Sequence, residues 1–319
     1  MYRDKKVSLV IPAYNEQKLI KPTLENIPDI IDRIYVVDDC SPDNQNQVIE
    51  ECAKTDSRII LLKHTENQGP GGAIITGYLQ SSQDNYDIAV VIGGDFQMPM
   101  DEVTKFLDPI IDGKVDYTKG NRFLLSHLDD TLEKMPKIRL FGNIMITAVT
   151  KIASGYYKIM DVVDGYTAIS KTAIDTINWK LAWKRYGYPM DFLIRLNAYG
   201  FKITDVPRTS IYLPGERQSQ IKGVQYAMKV TPMLIKHFLW RLKFKYLYLS
   251  FHPLVFFYYL SFLLLPAGVI SGGYLVFDRL FLSGDAVTGP RSVLVALMLL
   301  VGIQSFLFAM LFDMQESNS

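Results

Sequence analysis

Apolar residues occur in short unbroken runs over the first two-thirds of the chain and in much longer runs near its end. Val7–Ile11 is apolar apart from Ser8 and stops at Pro12. Arg33–Val37, Ile59–Leu62 and Ile88–Ile92 repeat that pattern. Stretches with helical spacing separate them: one reaching about Ile31, one carrying Val48, Ile49 and Cys52, and one from Ala73 to Leu79. Continuous rather than alternating runs mark strands covered on both faces, so the pattern predicts an α/β domain with a mostly parallel sheet. Farther on, Val103, Phe106, Leu107 and Ile110 predict a helix face, and Asp116–Phe123 a short strand with a basic turn. Arg139–Ile152 reads as a long, mostly apolar helix, and Met160–Ile169 as a strand interrupted by two carboxylates. A helix enters at Tyr188–Ile194, and Phe201–Pro207 and Ile211–Leu213 read as strands.

Each early strand ends in a polar loop: Glu16, then Asp38 and Asp39, then Asn67, then Asp95 and Gln97. A solvated turn explains any one of these, but four at the same edge of one sheet point to a shared ligand crevice. The sharpest is Val90–Pro99, where an apolar run breaks into Gly93, Gly94, Asp95, Phe96 and Gln97. A carboxylate among glycines suits a metal-bound, negatively charged substrate; a tight turn after a buried strand is the competing explanation. Gly69-Pro70-Gly71-Gly72 fits neither G-x-G-x-x-G nor a P-loop. Its amides at a helix start suit a phosphate, and its bare backbone equally suits close helix packing. Arg122 suits a phosphate or a surface carboxylate, and Asp161 with Asp164 flank an acceptor or cap a turn. Asp191 opens a helix whose dipole favours it, which does not exclude a role as base.

The tail changes character. Pro253–Phe277 and Val293–Phe312 carry no formal charge and are each long enough to cross ~30 Å of hydrocarbon. Val224–Leu249 mixes apolar residues with Lys229, Lys236, His237, Arg241, Lys243 and Lys245, as expected of an interfacial amphipathic segment on the cytoplasmic side. The N-terminal run is too soon broken by Pro12 for a signal peptide. The favoured topology is a two-span hairpin with the leading domain and both termini cytoplasmic, divided as 1–222, 223–252 and 253–319. Composition adds little: 34 basic against 33 acidic residues give a net charge of +1, so no global field points to nucleic acid. Two cysteines, Cys40 and Cys52, provide neither a disulfide framework nor a common zinc spacing.

Residues 7 to about 222 resemble an inverting family 2 glycosyltransferase of the glycosyltransferase-A fold, and more narrowly the polyprenyl-phosphate (dolichyl-phosphate) hexosyltransferases. Ile11-Pro12-Ala13-Tyr14-Asn15-Glu16 is similar to the family's opening strand and loop, Val37–Asp43 to its V-D-D-x-S-x-D segment, and Asn67–Ala73 to its N-x-G-x-G-x-A turn. The family's D-x-D-x-Q-x-P begins here with Gly93 in place of the first carboxylate. The resemblance implies that Pro12, Tyr14, Glu16, Asp38, Asp39, Asn67, Gly71, Gly94 and Asp95 hold the nucleotide sugar, with Glu16 and Asp39 on ribose and base. It implies Mg²⁺ or Mn²⁺ on Asp95 and Gln97, weakened by the missing anion. Asp95, Gln97 and Asp191 are then the catalytic candidates, although an already ionised lipid phosphate makes Asp191 better suited to positioning than to proton abstraction. Asp161-Val162-Val163-Asp164-Gly165-Tyr166 is similar to D-x-x-S-G-F, making Asp161, Asp164, Gly165, Tyr166 and Asp191 sugar- or acceptor-positioning residues. Arg122, Arg217, Ser219 and Lys222 are expected on the acceptor phosphate.

The implied reaction moves a hexose from a UDP- or GDP-sugar to polyprenyl or dolichyl phosphate at a lipid bilayer, with inversion. A homo-oligomer is compatible with the sequence. A processive polysaccharide synthase is the alternative enzyme, against which the two-helix tail argues. The loss of a carboxylate at Gly93 sustains a non-catalytic nucleotide-sugar sensor or scaffold as the alternative outside enzymology.

Overall fold

The computed structural model describes residues 1–123, 137–209, 223–282 and 289–316. They form two compact units, Met1–Phe238 and Leu239–Ser319, so the first unit carries on past the expected boundary at 222. Arg217, Ser219, Lys222 and the expected strand Ile211–Leu213 lie outside the described residues.

In the first unit the strands are β1 (Val7–Ala13), β2 (Arg33–Asp38), β3 (Ile59–Lys63), β4 (Ile88–Val91), β5 (Tyr117–Asn121), β6 (Thr167–Ser170) and β7 (Ile203–Pro207). They make one seven-stranded sheet in the order β3-β2-β1-β4-β6-β5-β7. β1 pairs in parallel with β2 and β4, with Ala13 opposite Asp38 and Val10 opposite Val91. β6 runs antiparallel to both β4 and β5, and β5 is parallel to β7, so β6 alone opposes the rest. The sheet is therefore mixed. The strand order reverses at β1 and β4, and their carboxyl ends frame the crevice where such sheets take ligands.

The unbroken apolar runs divide by alternation. Leu9, Ile11, Ile34, Val36 and Val90 face one core with α1 (Ile20–Glu25), α2 (Gln45–Thr55) and α4 (Val103–Ile111). Val10, Tyr35, Val37, Ala89 and Val91 face the other with α3 (Pro70–Gln83), α6 (Lys171–Thr176) and α7 (Tyr188–Ala198). Between α4 and α6 the chain also forms α5 (Lys137–Ser154).

Three expectations need correction. α1 ends at Glu25, because Pro28 follows and cannot continue a helix. α3 extends to Gln83, since nothing after Leu79 breaks it. Within Met160–Ile169 only the last residues are strand, because Asp161 and Asp164 are drawn away by arginines described below.

α8 (Gly223–Lys243) follows, with His237 turned inward rather than out toward an interface. In the second unit, α9 (Leu254–Phe277) and α10 (Gly289–Glu316) are long and apolar enough to cross a membrane, and most of their side chains face outward. They pack antiparallel through glycines: a Cβ on Gly268 would lie 2.8 Å from Leu299, on Gly302 2.9 Å from Leu265, and on Gly272 3.2 Å from Val295. α10 runs past the expected end at Phe312 and buries Asp313, a charge that the uncharged-span expectation left out. Arg241 meets Asp313 with both NH1 (3.1 Å) and NH2 (2.6 Å), and Tyr246 donates to it at 2.5 Å. This clasp puts the start of α9 and the end of α10 at the same end of the hairpin.

Candidate active site

The β2 and β3 ends build one side of the crevice. Asp38 is spent on its own loop: its carboxylate accepts from Ser41 N, Gln45 Nε2 and Asn46 Nδ2. Asp39, also buried, accepts from Gln68 N (2.8 Å) and Gly69 N (2.7 Å), and lies 2.8 Å from His64 Nδ1. Its backbone carbonyl takes Asn67 Nδ2, so Asp39 sets the shape of the Asn67–Gly69 turn. His64 completes this side, with Nε2 2.8 Å from Thr76 Oγ1; the sequence pattern did not single it out because it follows an apolar strand as one polar residue among several. Pro12 and Glu16 are half-buried and Tyr14 is exposed on the β1 loop, with Glu16 N held by Gln45 Oε1.

The β4 loop forms the centre. Gly94 leaves room for Glu16 Cγ and Ile20, which a Cβ would approach to 3.6 and 3.3 Å. A side chain at Gly93 would meet Asp95 Oδ1 at 2.8 Å, so in this backbone the Asp95 carboxylate occupies the space where the family's first carboxylate begins. Phe96 takes φ of 55°, turning the chain sharply enough for Gln97 N to reach back to Asp95 Oδ1 at 3.3 Å. Burial pushes the Asp95 carboxyl up, opposed by that amide and by Arg208.

The third side comes from β5, β6 and β7. Because β6 is reversed, its entry rather than its exit reaches the same edge, and it brings Asp161, Asp164 and Gly165 to the ends of β5 and β7. Arg122, after β5, grips Asp161 through Nε (2.6 Å) and NH2 (3.0 Å), and its Nε is 3.2 Å from Asp164. Arg208, after β7, holds Asp164 through Nε (2.8 Å) and NH2 (2.7 Å), and its NH1 reaches the carbonyls of Gln97 (3.4 Å) and Thr209 (2.9 Å). Arg208 thus ties this side to the Asp95 loop. Burial pushes the Asp164 carboxyl up, but Arg208, Arg122 and Lys119 outweigh it and hold the group below its ordinary range. Lys119, fully buried on β5, donates to the Asp164 carbonyl, and burial lowers its ammonium. Asp205 accepts from Asn121 Nδ2 and Met160 N, and burial raises it to about 6.

Arg208 and Lys119 were missed in the sequence. Arg208 follows the apolar strand ending at Pro207, so the strand-end rule applied to β1–β4 finds it too. Gly165 faces the site between Met98 and the Tyr188 hydroxyl, which a Cβ would meet at 3.3 and 3.4 Å. Tyr166 turns the other way: its ring is buried and stacked on Phe106 at 3.9 Å, so it belongs to the core and not to an acceptor site.

Two more candidates also prove structural. Asp191 is fully buried, accepts from Trp183 N (2.6 Å) and Arg195 Nε (2.9 Å), and lies 2.5 Å from His237 Nδ1. Burial pushes its carboxyl up, but His237 and Arg195 more than offset this and keep it ionised. Gly71 is bare for packing: a Cβ would lie 2.6 Å from Tyr188 Cβ and 2.8 Å from the Trp183 carbonyl. The amide of Gly72 is taken by the Lys184 carbonyl, so the turn is closed by protein rather than held open for phosphate.

Among the described residues no three His, Cys, Asp or Glu side chains gather around a metal position. The donor set left in the Asp95 loop is one carboxylate and one amide oxygen. That set fits Mg²⁺ or Mn²⁺, hard cations commonly held by one or two carboxylates with substrate phosphates completing the shell.

A doubly covered sheet with its polar loops at the switch-point edge is an α/β architecture that takes ligands at that edge. Residues 8–177 match the model for glycosyl transferase family 2, and the chain belongs to that family. It is 32% identical over 222 residues to the UDP-N-acetylglucosamine–dolichyl-phosphate N-acetylglucosaminyltransferase of Methanococcus voltae, covering 66% of this chain and 87% of the relative. It is 26% identical to the polyprenol monophosphomannose synthase of Mycolicibacterium smegmatis, covering 63% and 76% of the two chains. Among solved structures, glucosyl-3-phosphoglycerate synthase from Mycobacterium tuberculosis superimposes with a TM-score of 0.52 at 17% identity, over 75% of this chain and 80% of that one. The last likeness concerns the glycosyltransferase-A fold alone.

Proposed function

We propose that the protein transfers a hexosyl group from a UDP- or GDP-sugar to the phosphate of a polyprenyl or dolichyl lipid, with inversion at the anomeric carbon. The observation that carries this reading is the pair of guanidiniums, Arg122 and Arg208, held by buried carboxylates beside the Asp95–Gln97 loop. Arginine forks in a fixed geometry suit phosphate oxygens, and a phosphate is the group such a lipid presents. The names of the Methanococcus and Mycolicibacterium relatives support the same acceptor class.

On this account Glu16 and the Asp39-shaped turn hold the nucleoside, and Asp95 and Gln97 lie on the diphosphate side. When bound there, Mg²⁺ or Mn²⁺ supplies charge neutralisation to the departing diphosphate. Arg122 and Arg208 orient the acceptor so that one phosphate oxygen attacks the anomeric carbon as the bond from that carbon to the donor diphosphate breaks. A phosphate monoester with a second pKa of about 6 is already ionised near neutrality and needs no proton removed. That fits Asp191 being sealed in the core. α9 and α10 form the lipid anchor, and the basic residues before α9 support a cytoplasmic side for the catalytic unit and both termini.

The test is incubation of the full chain in membranes with a panel of UDP- and GDP-sugars, divalent metal and polyprenyl phosphate. A single chloroform-soluble monoglycosylated lipid, lost in Asp95→Asn with folding retained, is the expected result. Extended polymer would show a synthase instead. Donor binding without turnover across the panel would show a sensor.

A further inference from the structure

Asp191 is fully buried, and it sits at the start of a chain of contacts that ends at the Asn67–Gly69 turn. Its Oδ1 lies 2.5 Å from His237 Nδ1, and neither atom has another polar partner among the described residues. Asp191 Oδ2 takes the amide of Trp183, while Arg195, held on Asp191, donates to the Leu181 carbonyl; together they pin the backbone of the Leu181–Trp183 stretch.

The next residues of that stretch touch the Asn67–Gly69 turn directly. Lys184 Nζ donates to Gln68 Oε1 at 2.8 Å, Arg185 NH1 to Asn67 Oδ1 at 2.9 Å, and Gly72 N to the Lys184 carbonyl at 3.1 Å. Gly69 and Gly71 are bare where the carbonyls of Lys184 and Trp183 press against them. The far side of the same turn is fastened by Asp39. α8 is seated on this assembly as well, since a Cβ on Gly187 would meet Val230 at 3.0 Å and Met233 at 3.3 Å.

We propose that His237 is a positioning residue for the nucleotide donor: through Asp191 and the 183–185 segment it fixes the Asn67–Gly69 turn from behind. The inference rests on the reading of that turn as part of the donor side. It makes a residue on the helix that continues toward the first apolar span part of the scaffold of the donor site.

The test measures binding of uridine diphosphate and guanosine diphosphate to the full-length protein by calorimetry, beside the KM for polyprenyl phosphate. His237→Ala is expected to weaken the nucleotide that wild type binds by roughly 2- to 30-fold and to leave the acceptor KM unchanged. Asparagine places an amide nitrogen near the position of Nδ1, so His237→Asn is expected to recover most of the affinity, and His237→Gln, whose amide falls elsewhere, is not. The Asn–Gln contrast carries the test if His237→Ala melts without cooperativity. Unchanged nucleotide binding in His237→Ala, equal weakening of donor and acceptor, or equal behaviour of the Asn and Gln variants would overturn the proposal. Wild type binding neither nucleotide would instead remove the donor reading beneath it, and this inference with it.

Discussion

Replacing Arg208 by lysine keeps a positive charge beside Asp164 and removes the fork. In the wild type, Nε and NH2 both engage Asp164 Oδ2, at 2.8 and 2.7 Å, while NH1 spans to the carbonyls of Gln97 and Thr209. A lysine ammonium can satisfy Asp164 or reach toward the Asp95 loop, but it cannot hold a planar grip on both. Hydrogen bonds to charged groups contribute about 1.5–3 kcal/mol each, and Asp164 retains Arg122 at 3.2 Å. One such bond forfeited is about 2 kcal/mol, and because the proposed grip on the acceptor phosphate depends on the fork these bonds hold in place, the expected loss in acceptor affinity is roughly 30-fold. The assay is initial rate against polyprenyl phosphate at saturating nucleotide sugar, with thermal unfolding as the control for folding. The acceptor KM should rise about 30-fold, and by more than the donor KM, which moves only as far as the Asp95 loop loosens. Arg208→Lys with a wild-type acceptor KM would refute the assignment of Arg208 to the phosphate.

Further predictions concern the framework. Burial raises the Asp205 carboxyl to about 6 from an unfolded value near 4, so its contribution to stability is full below about pH 4 and is lost as pH rises through 6. The change is about 3 kcal/mol, and Asp205→Asn should flatten the fall in Tm between pH 4.5 and pH 7.5 that scanning calorimetry sees in wild type. Asp313→Ala should cost about 3–5 kcal/mol by stranding buried Arg241, whereas the double replacement Arg241→Met with Asp313→Leu should recover most of it; thermal melts in detergent separate the two. Gly71→Ala forces a Cβ to within 2.6 Å of Tyr188 and should cost about 1–3 kcal/mol, read as a lower midpoint of denaturant unfolding.

Local signals made the scaffold legible. The continuous runs at Val7–Ile11 and Ile88–Ile92 read as strands covered on both faces, and the polar residues at their ends pointed to the crevice edge. The reversal of β6 could not be read, because strand direction is a matter of pairing and not of composition. That reversal is what brings Asp161 and Asp164 beside Arg122 and Arg208, so an arginine cluster assembled from three strand ends looked in the sequence like separate turn residues. Asp191 looked available because helix-dipole reasoning accounts for an acid in a first turn without revealing its partner, and His237 is far away in sequence. Asp313 fell just beyond an uncharged window, although the helix itself ran on. The glycines illustrate the same limit: Gly71 and Gly93 are both bare, one to admit a neighbouring backbone and the other to leave space for Asp95.

The central claim is that a lipid phosphate oxygen attacks the sugar carbon. It is tested most directly by supplying polyprenyl phosphate labelled with ¹⁸O on its phosphate and locating the label by mass spectrometry and ³¹P NMR. The account predicts a glycosyl phosphodiester lipid that retains every labelled oxygen, including the one bridging to the anomeric carbon, with inverted configuration and no label in the released nucleoside diphosphate. A bridging oxygen without label, or a product with retained configuration, would contradict it.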